Sequence, residues 1–150
     1  MDIKRYTKEQ IPEVLRFEQD LRAEESFYNW DIGEAYIKRV EQSFEDDQFR
    51  NSVSLLAYQN DRVVGRIDST LICSHFDGST KAYLDWICVM KSCRHMGVAR
   101  KLMGALRKLL REEYGVDTLI GLIASNEEAQ RFYRSLENAV IRDEGIWIDL

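Results

Sequence analysis

Basic residues and a glycine crowd one short stretch of this chain, Arg94-His95-Met96-Gly97-Val98-Ala99, which Arg100 and Lys101 extend. A glycine lets backbone N–H groups converge, and the helix predicted to start there begins with N–H donors that have no intrahelical partner. A corner of this kind binds anions, phosphates above all. Cations in a first helical turn oppose the helix dipole, so a bound polyanion would explain them. The alternative is a solvated basic face that continues through Arg107, Lys108 and Arg111.

Three more polar residues could take part in proton transfer or hydrogen bonding. Asp85 interrupts an apolar strand pattern, and its carboxylate could accept a proton. Asn126 stands at a predicted helix start, seven residues before Tyr133, whose phenol with a pKa of about 10 could donate one. Each has a structural alternative. Asp85 could anchor Arg66 or another cation, whereas Asn126 could be only a helix cap and Tyr133 a core side chain beside Phe132.

Acidic and aromatic residues stand together between two predicted helices, in Glu24-Glu25-Ser26-Phe27-Tyr28-Asn29-Trp30. Carboxylates beside aromatic rings can recognise an ammonium group by charge and cation–π contact. Alternatively, the rings only hold the helix connection against the core. The net charge of −5 and the sequence pI near 5.1 are compatible with a cationic substrate and argue against a nucleic-acid partner.

Hydrophobic periodicity predicts the elements that must position these residues. Residues 83–90 read as a strand that is largely apolar on both faces, so it should be central in a sheet covered on both sides. A helix from Val98 to Tyr114 follows, long enough to form a parallel crossover to a strand within residues 117–124. Further predicted strands are residues 3–6, 52–59, 62–73 and a closing strand or hairpin at 139–150. Further predicted helices start at the capping boxes Thr7–Gln10 and Ser125–Glu128 and, between them, near Asp31.

Alternation along the central strand predicts which side chains share a face. Asp85 lies four residues before Val89, so the two would point the same way, together with Tyr83 and Ile87. A bulge in the strand would alter that parity. Ala82, Leu84, Trp86, Cys88 and Met90 would occupy the other face.

Length and composition predict one domain, 1–150, in a reducing compartment. The cysteines Cys73, Cys88 and Cys93 are odd in number and lack C-x-x-C spacing, so we expect free thiols and no metal site. The charged N-terminus is unlike a signal peptide, and no apolar run is long enough for a membrane span. A cytoplasmic protein without a membrane partner is therefore expected.

Two motifs in this order are similar to those of a known family. Residues 94–99 fit the pattern Arg/Gln-x-x-Gly-x-Gly/Ala, and Asn126-x-x-Ala129-x-x-x-Tyr133 fits a second signature downstream. Both resemble motifs of the Gcn5-related N-acetyltransferases (GNAT), in which the first is the acyl-CoA pyrophosphate loop. The resemblance covers roughly residues 82–137, and the order of elements fits the whole chain.

This resemblance implies an α/β domain of the GNAT-type acyl-CoA N-acyltransferase fold, a central mixed sheet with helices on both faces. It implies transfer of an acetyl group from acetyl-CoA to a primary amine by direct attack, without a metal. The acceptor could be a polyamine, an aminoglycoside-like molecule, an amino acid or a protein amine. The alternative is a non-catalytic acyl-CoA sensor or interaction module on the same fold. A homodimer, common in the family, is also allowed.

The family's roles transfer to matching residues of this chain. Tyr133 would protonate the leaving thiolate, and a backbone N–H at or near Val89 would stabilise the oxyanion. Asp85 would be the general base, with the acceptor-side carboxylates as alternatives. The acceptor would face Glu24, Glu25, Tyr28 and Trp30. The coenzyme would contact Ile87, Val89, Arg94, His95, Met96, Gly97, Val98, Ala99, Arg100, Asn126 and Tyr133.

After Tyr133 the chain departs from the family pattern. Relatives usually continue into Leu-Gly-Phe, but here Leu136 is followed by Glu137-Asn138, so the helix loses its C-cap glycine. Asn138 can adopt the left-handed conformation instead. The short tail resembles some aminoglycoside 3-N-acetyltransferases of this family, which is a hint about substrate class.

Overall fold

Strands and helices follow one another in the predicted order over the residues that the computed structural model describes, 1–26, 28–142 and 145–150. The strands are β1 (Asp2–Arg5), β2 (Ser52–Gln59), β3 (Arg62–Cys73), β4 (Thr80–Val89) and β5 (Leu119–Gly121). The α-helices are α1 (Ile11–Glu24), α2 (Glu34–Ser43), α3 (Val98–Tyr114) and α4 (Glu127–Arg134), with short 3-10 turns at Lys8–Gln10, Asp47–Phe49 and Lys91–Cys93. Two compact units result, Met1–Ile120 and Gly121–Leu150. No helix in these described ranges has both the length and the apolarity to cross a bilayer.

The strands form one sheet in the order β1-β2-β3-β4-β5. Each of the first four strands pairs antiparallel with the next one. Asn60 and Asp61 form the turn of the β2–β3 hairpin, with φ of 50° and 57°. β5 starts beside the start of β4, because the N–H of Ala82 donates to the carbonyl of Thr118 at 3.0 Å. α3 forms the crossover between them, so β5 is parallel to β4 and the sheet is mixed, as predicted.

Helices cover the two faces of this sheet, which confirms the predicted layers. A Cβ at Gly65 of β3 would lie 2.9 Å from Cγ1 of Val98, so that face packs closely on α3. The next residue, Arg66, reaches the opposite face and binds Glu18 of α1. The buried side chains of α1 are Ile11, Val14, Phe17, Glu18 and Leu21, and those of α3 are Val98, Leu102, Met103, Leu106 and Leu110.

A bulge in β4 corrects the predicted alternation. Asp68 of β3 pairs with Trp86, but the next residue, Ser69, pairs with Leu84, so Asp85 is the extra residue of β4. Before the bulge, Leu84 lies on the α3 face. After it, Trp86 lies on the α1 face, and the expectation that these two residues share a face is wrong.

The same bulge separates Asp85 from Val89. Asp85 accepts a hydrogen bond at 2.7 Å from Thr70, which is on the α1 face with Arg66 and Asp68. Val89 pairs with Gly65 and therefore lies on the α3 face. The expectation that Asp85 and Val89 share a face is contradicted, because one extra residue reverses the parity of a strand.

Local capping agrees with the sequence at one helix and differs at another. The side chain of Gln10 accepts from the N–H of Thr7 at 2.7 Å, as the capping box predicted. At α4 the cap is Asn126, whose Oδ1 accepts from the N–H of Ala129 at 2.9 Å. The predicted Ser125 capping box is therefore displaced by one residue. Asn138 adopts the left-handed conformation, with φ of 58°.

The C-terminal part of the chain differs most from expectation. β5 has three residues, and no strand forms in residues 139–142 or 145–150; residues 143 and 144 of the predicted turn lie outside the described residues. Val140 and Trp147 are 79% and 76% exposed. An alternating apolar segment becomes a strand only where an edge pairs with it, and that long-range requirement is invisible in the local pattern.

A buried ion pair ties together elements of the first unit. The guanidinium of Arg66 donates to Glu18 at 3.0 Å and lies 2.8 Å from Asp68, and the side chain of Glu18 is 2% exposed. The hydroxyl of Tyr36 in α2 also donates to Glu18, at 2.9 Å. Burial outweighs these partners and raises the pKa of Glu18. The carboxylate of Glu18 thus links α1 to Tyr36 of α2 and to Arg66 of β3.

Replacing Arg66 with methionine should lower the free energy of unfolding by about 3–5 kcal/mol, because it leaves two carboxylates without their cation. Arg62→Met is the matched control, since Arg62 also joins β3 to α1 but pairs with Asp20 in an exposed position. We expect the control to cost less than about 1 kcal/mol. Urea denaturation of both variants measures the difference, and equal losses would contradict a structural role for the buried pair.

Candidate active site

The turn between β4 and α3 begins in a 3-10 conformation. The N–H of Cys93 donates to the carbonyl of Met90 at 2.9 Å, and the N–H of Arg94 donates to Lys91 at 3.2 Å. His95 and Gly97 then adopt left-handed backbones, with φ of 62° and 78°. Left-handed residues turn neighbouring N–H groups toward one side, which is typical of concave anion-binding turns.

The first turn of α3 completes this corner. Its first intrahelical hydrogen bond runs from the N–H of Lys101 to the carbonyl of Gly97 at 3.0 Å, so the N–H groups of Val98 and Ala99 have no acceptor within the helix. No acidic residue lies in this first turn. A Cβ at Gly97 would meet nothing within 4 Å, which leaves the space in front of the loop open. The corner is therefore suited to hold a phosphate or diphosphate.

The end of β4 presents backbone groups next to this corner. The N–H of Met90 donates to Val64 of β3 at 2.9 Å. Because N–H directions alternate along a strand, those of Ile87 and Val89 point away from β3. β5 begins beside Ala82 and has three residues against ten in β4, so it pairs with only the first part of that strand. β5 therefore ends before it reaches Ile87 and Val89 along β4.

The two acids at the end of α1 contact the turn after β4. The backbone N–H of Ser92 donates to Glu24 at 3.3 Å. Both terminal nitrogens of Arg94 donate to the carboxylate of Glu25, Nη1 at 3.0 Å. Glu25 and Arg94 are 11% and 21% exposed in their side chains. The structure thus brings these sequence-predicted acceptor residues onto the loop that was predicted to bind the coenzyme.

Three aromatic rings pack edge to face on the α1 side of β4. Tyr28 and Trp30 have ring centroids 5.6 Å apart, and Trp86 lies 5.9 Å from Trp30. The hydroxyl of Tyr28 is 3.0 Å from the sulfur of Cys88, and burial raises the pKa of that thiol to about 11. Trp86 was not among the predicted site residues, because strict alternation gave it no relation to Tyr28 and Trp30. The sequence signals of the bulge were an acidic residue, Asp85, in an apolar strand and the family resemblance, in which a bulge in this strand is usual.

A concavity of about 430 Å³ opens beside Tyr28. It is lined by Gln19, Arg22, Ala23, Ser26, Tyr28 and Asn29. The cation of Arg22 would repel an ammonium group, so this concavity is less suited to a cationic ligand than the rings on the β4 side.

The exposed carboxylate of Asp85 does not anchor Arg66, because that arginine binds Glu18 and Asp68. Its partner is Thr70, so the alternative that assigned it to Arg66 is wrong. Asp85 therefore stands on the α1 side of β4, next in sequence to Trp86.

The second unit contains the other predicted motif. Asn126 caps α4, and Tyr133 lies in the last turn of the same helix. The ring centroids of Tyr133 and Phe132 are 5.1 Å apart. Burial raises the pKa of Tyr133. Such a phenol stays protonated through the neutral range and can act as a proton donor. Across the described part of the chain, no cluster of three or more metal-ligating side chains occurs.

Comparison with known proteins gives one family. The profile described as "Acetyltransferase (GNAT) family" matches residues 15–137. No curated protein matches. Solved structures match over 99% or more of this chain.

Three of these structures illustrate the similarity. An aminoglycoside acetyltransferase, meta-AAC0020, from an uncultured soil metagenomic sample has a TM-score of 0.82 at 18% identity, with 95% of its chain covered. AAC(6′)-Iy, in complex with the bisubstrate analogue CoA-S-monomethyl-acetylneamine, has a TM-score of 0.77 at 18% identity, with 97% of its chain covered. A ribosomal-protein-alanine N-acetyltransferase from Brucella melitensis biovar Abortus 2308 has a TM-score of 0.74 at 18% identity, with 99% covered. At these identities the structures establish a shared fold.

Gly97→Ala should destabilise the protein by about 1–2 kcal/mol, because a Cβ is unfavourable in the left-handed backbone although the space is open. Gly104→Ala is the matched control in the interior of the same helix, where a Cβ also meets nothing within 4 Å. There alanine should stabilise by roughly 0.5–1 kcal/mol. Thermal or urea unfolding gives both values, and changes of the same sign would argue against a conformational requirement at Gly97.

Proposed function

The chain belongs to the acetyltransferase (GNAT) family, whose members use acetyl-CoA, and we propose that it acetylates a primary amine that is cationic in water. The single observation that carries the proposal is the corner between β4 and α3, where a left-handed Gly97 leads into a helix start without acids. This corner directly follows the end of β4, where the N–H groups of Ile87 and Val89 point away from β3.

Backbone groups at this corner would hold the diphosphate of the coenzyme. The N–H groups of Val98 and Ala99 lack acceptors within the helix, and the open space before Gly97 leaves room for phosphate oxygens. We assign the coenzyme contacts of the loop to Arg94, His95, Met96, Gly97, Val98, Ala99 and Arg100, and those of the second unit to Asn126 and Tyr133. Acetyl-CoA supplies the acetyl group as a thioester.

The end of β4 would stabilise the reacting carbonyl. When the amine nitrogen attacks the thioester carbon, negative charge develops on the carbonyl oxygen. The N–H of Val89 points away from β3, because the N–H of Met90 is bonded to β3. Its contact within the described chain is with the neighbouring thiol of Cys88. We therefore propose that Val89 donates the oxyanion hydrogen bond, with Ile87 bordering the coenzyme on the same edge.

Two side chains would handle protons. The acceptor must lose its ammonium proton before attack, and we propose that Asp85 takes it, directly or through water. The bulge supports this role because it places Asp85 on the α1 side with Trp86. The carbon–sulfur bond then breaks, and we propose that Tyr133 gives a proton to the departing thiolate. Its pKa, raised by burial, keeps the phenol protonated until that step. The attacking nitrogen loses its second proton as it becomes an amide, and that proton restores the phenol, directly or through water.

The α1 side of β4 favours a cationic acceptor. Tyr28 and Trp30 offer aromatic surface for cation–π contact, and the ring of Trp86 already has the guanidinium of Arg66 over it at 5.8 Å, so this side accommodates a cation. The cluster beside the rings contains the acids Glu18 and Asp68 and the cation Arg66. Structures of similar fold are named for aminoglycosides and for a ribosomal-protein alanine. Of these classes we propose a polyamine or aminoglycoside-like amine, since each carries several positive charges.

Free cysteines support a reducing compartment. Cys73, Cys88 and Cys93 all lack disulfide partners. We propose a cytoplasmic location on this ground, and a homodimer remains a prediction from the family resemblance.

A panel of amines tests the function by release of the coenzyme thiol. We expect kcat/KM for polyamines or aminoglycosides to exceed that for amino acids with neutral side chains and for peptide N-termini by roughly tenfold or more. This ratio corresponds to about 1–2 kcal/mol of additional binding energy from recognition of the cation. Gly97→Glu, which fills the loop, should abolish activity, whereas Gly104→Glu on the exposed helix face should retain it. Binding of acetyl-CoA without turnover of any amine would favour the sensor instead.

Tyr133→Phe should lower kcat by about a hundredfold, the scale of general acid catalysis, with a smaller change in KM. The phenol proton is lost while the ring and its packing against Phe132 are retained. Tyr114→Phe, at the exposed end of α3, serves as the control and should not change kcat. An unchanged kcat in Tyr133→Phe would remove this residue from the mechanism.

A further inference from the structure

An ion pair joins the end of α1 to the coenzyme loop. Glu25 immediately follows α1, and its carboxylate accepts from both terminal nitrogens of Arg94. Both side chains are largely withdrawn from solvent, 11% and 21% exposed. A two-point contact between a planar guanidinium and a carboxylate fixes orientation as well as distance. The position of Arg94, the first residue of the loop motif, is therefore set by α1.

The neighbouring acid strengthens this attachment. Glu24, the last residue of α1, accepts from the backbone N–H of Ser92 at 3.3 Å. Hydrogen bonds from the turn lower the pKa of Glu24 although burial opposes them. Two carboxylates at a helix C-terminus are unfavourable in the field of the helix dipole. Their contacts with the turn offset that cost, which gives these acids a physical reason to lie here.

The contact changes how the loop would meet a diphosphate. The carboxylate of Glu25 offsets the positive charge of Arg94. The backbone N–H groups of Val98 and Ala99 would therefore make most of the contacts with the diphosphate. In sequence, Glu25 is followed within five residues by Tyr28 and Trp30, two of the aromatic residues proposed for the acceptor.

We propose that Glu25 is a positioning residue which acts through Arg94 to hold the coenzyme loop in its diphosphate-binding shape. This inference rests on the proposed function, because it concerns the coenzyme site of that function. It differs from the sequence-based expectation that Glu25 contacts the acceptor. A positioning role predicts a change in coenzyme affinity, whereas an acceptor contact predicts a change in the KM of the amine alone.

Glu25→Gln tests the proposal by calorimetry in the absence of an amine. The amide keeps the size of the side chain but loses the charge, and we expect the Kd for coenzyme A to rise about tenfold, within the usual range for coupled sites. The Kd for an acetylated pantetheine without the diphosphate should not change, because that ligand does not reach the loop. A merely structural loss would weaken both ligands. Asp20→Asn is the matched control, because it weakens the exposed ion pair with Arg62 on the same helix.

A double-mutant cycle adds the partner. If Glu25 acts through Arg94, Glu25→Gln combined with Arg94→Gln should weaken coenzyme binding no more than Arg94→Gln alone. Fully additive losses, or wild-type affinity in Glu25→Gln, would overturn the inference while leaving the proposed function intact. Failure of the unaltered protein to bind coenzyme A would overturn the proposed function itself.

Discussion

The extra residue in β4 is the constraint on which the arrangement of the site depends. A strand of regular alternation would place Trp86 and Leu84 on the same face, but the bulge at Asp85 sends Trp86 toward α1 and leaves Val89 toward α3. The aromatic rings and the carboxylate of Asp85 thereby gather on one side of the strand. The N–H groups of Ile87 and Val89 lie instead on the edge of the strand that faces away from β3.

The charged groups near β4 form two separate clusters, one on its α1 side and one at the turn that follows it. On the α1 side the carboxylates of Glu18 and Asp68 share one guanidinium, that of Arg66. At the helix start after Gly97, acids are absent from the first turn, and Glu25 lies against the arginine that precedes it. We therefore propose that the anionic coenzyme and the cationic acceptor are favoured at different ends of the segment from β4 to α3.

Membership of the acetyltransferase family and a shared fold set the reaction class but leave the acceptor to the local chemistry of this chain. The fold accommodates proteins named for an antibiotic amine and for a protein alanine alike. Trp30 and Trp86 are among the side chains that we propose for selection between such amines. The position of Trp86 depends on the bulge, so this part of the proposed acceptor site depends on the geometry of the strand.

The sequence by itself determined the order of the elements, the mixed α/β class and the loop at Gly97. These depend on interactions within a few residues: apolar periodicity, the Thr7–Gln10 cap and the left-handed tolerance of glycine and Asn138. Tertiary structure alone decided the faces of β4, the partner of Asp85, the engagement of Glu24 and Glu25 by the turn, and the absence of a described closing strand. Each of these depends on register or contact between segments distant in the chain, and local periodicity carries no information about which distant segment provides the partner.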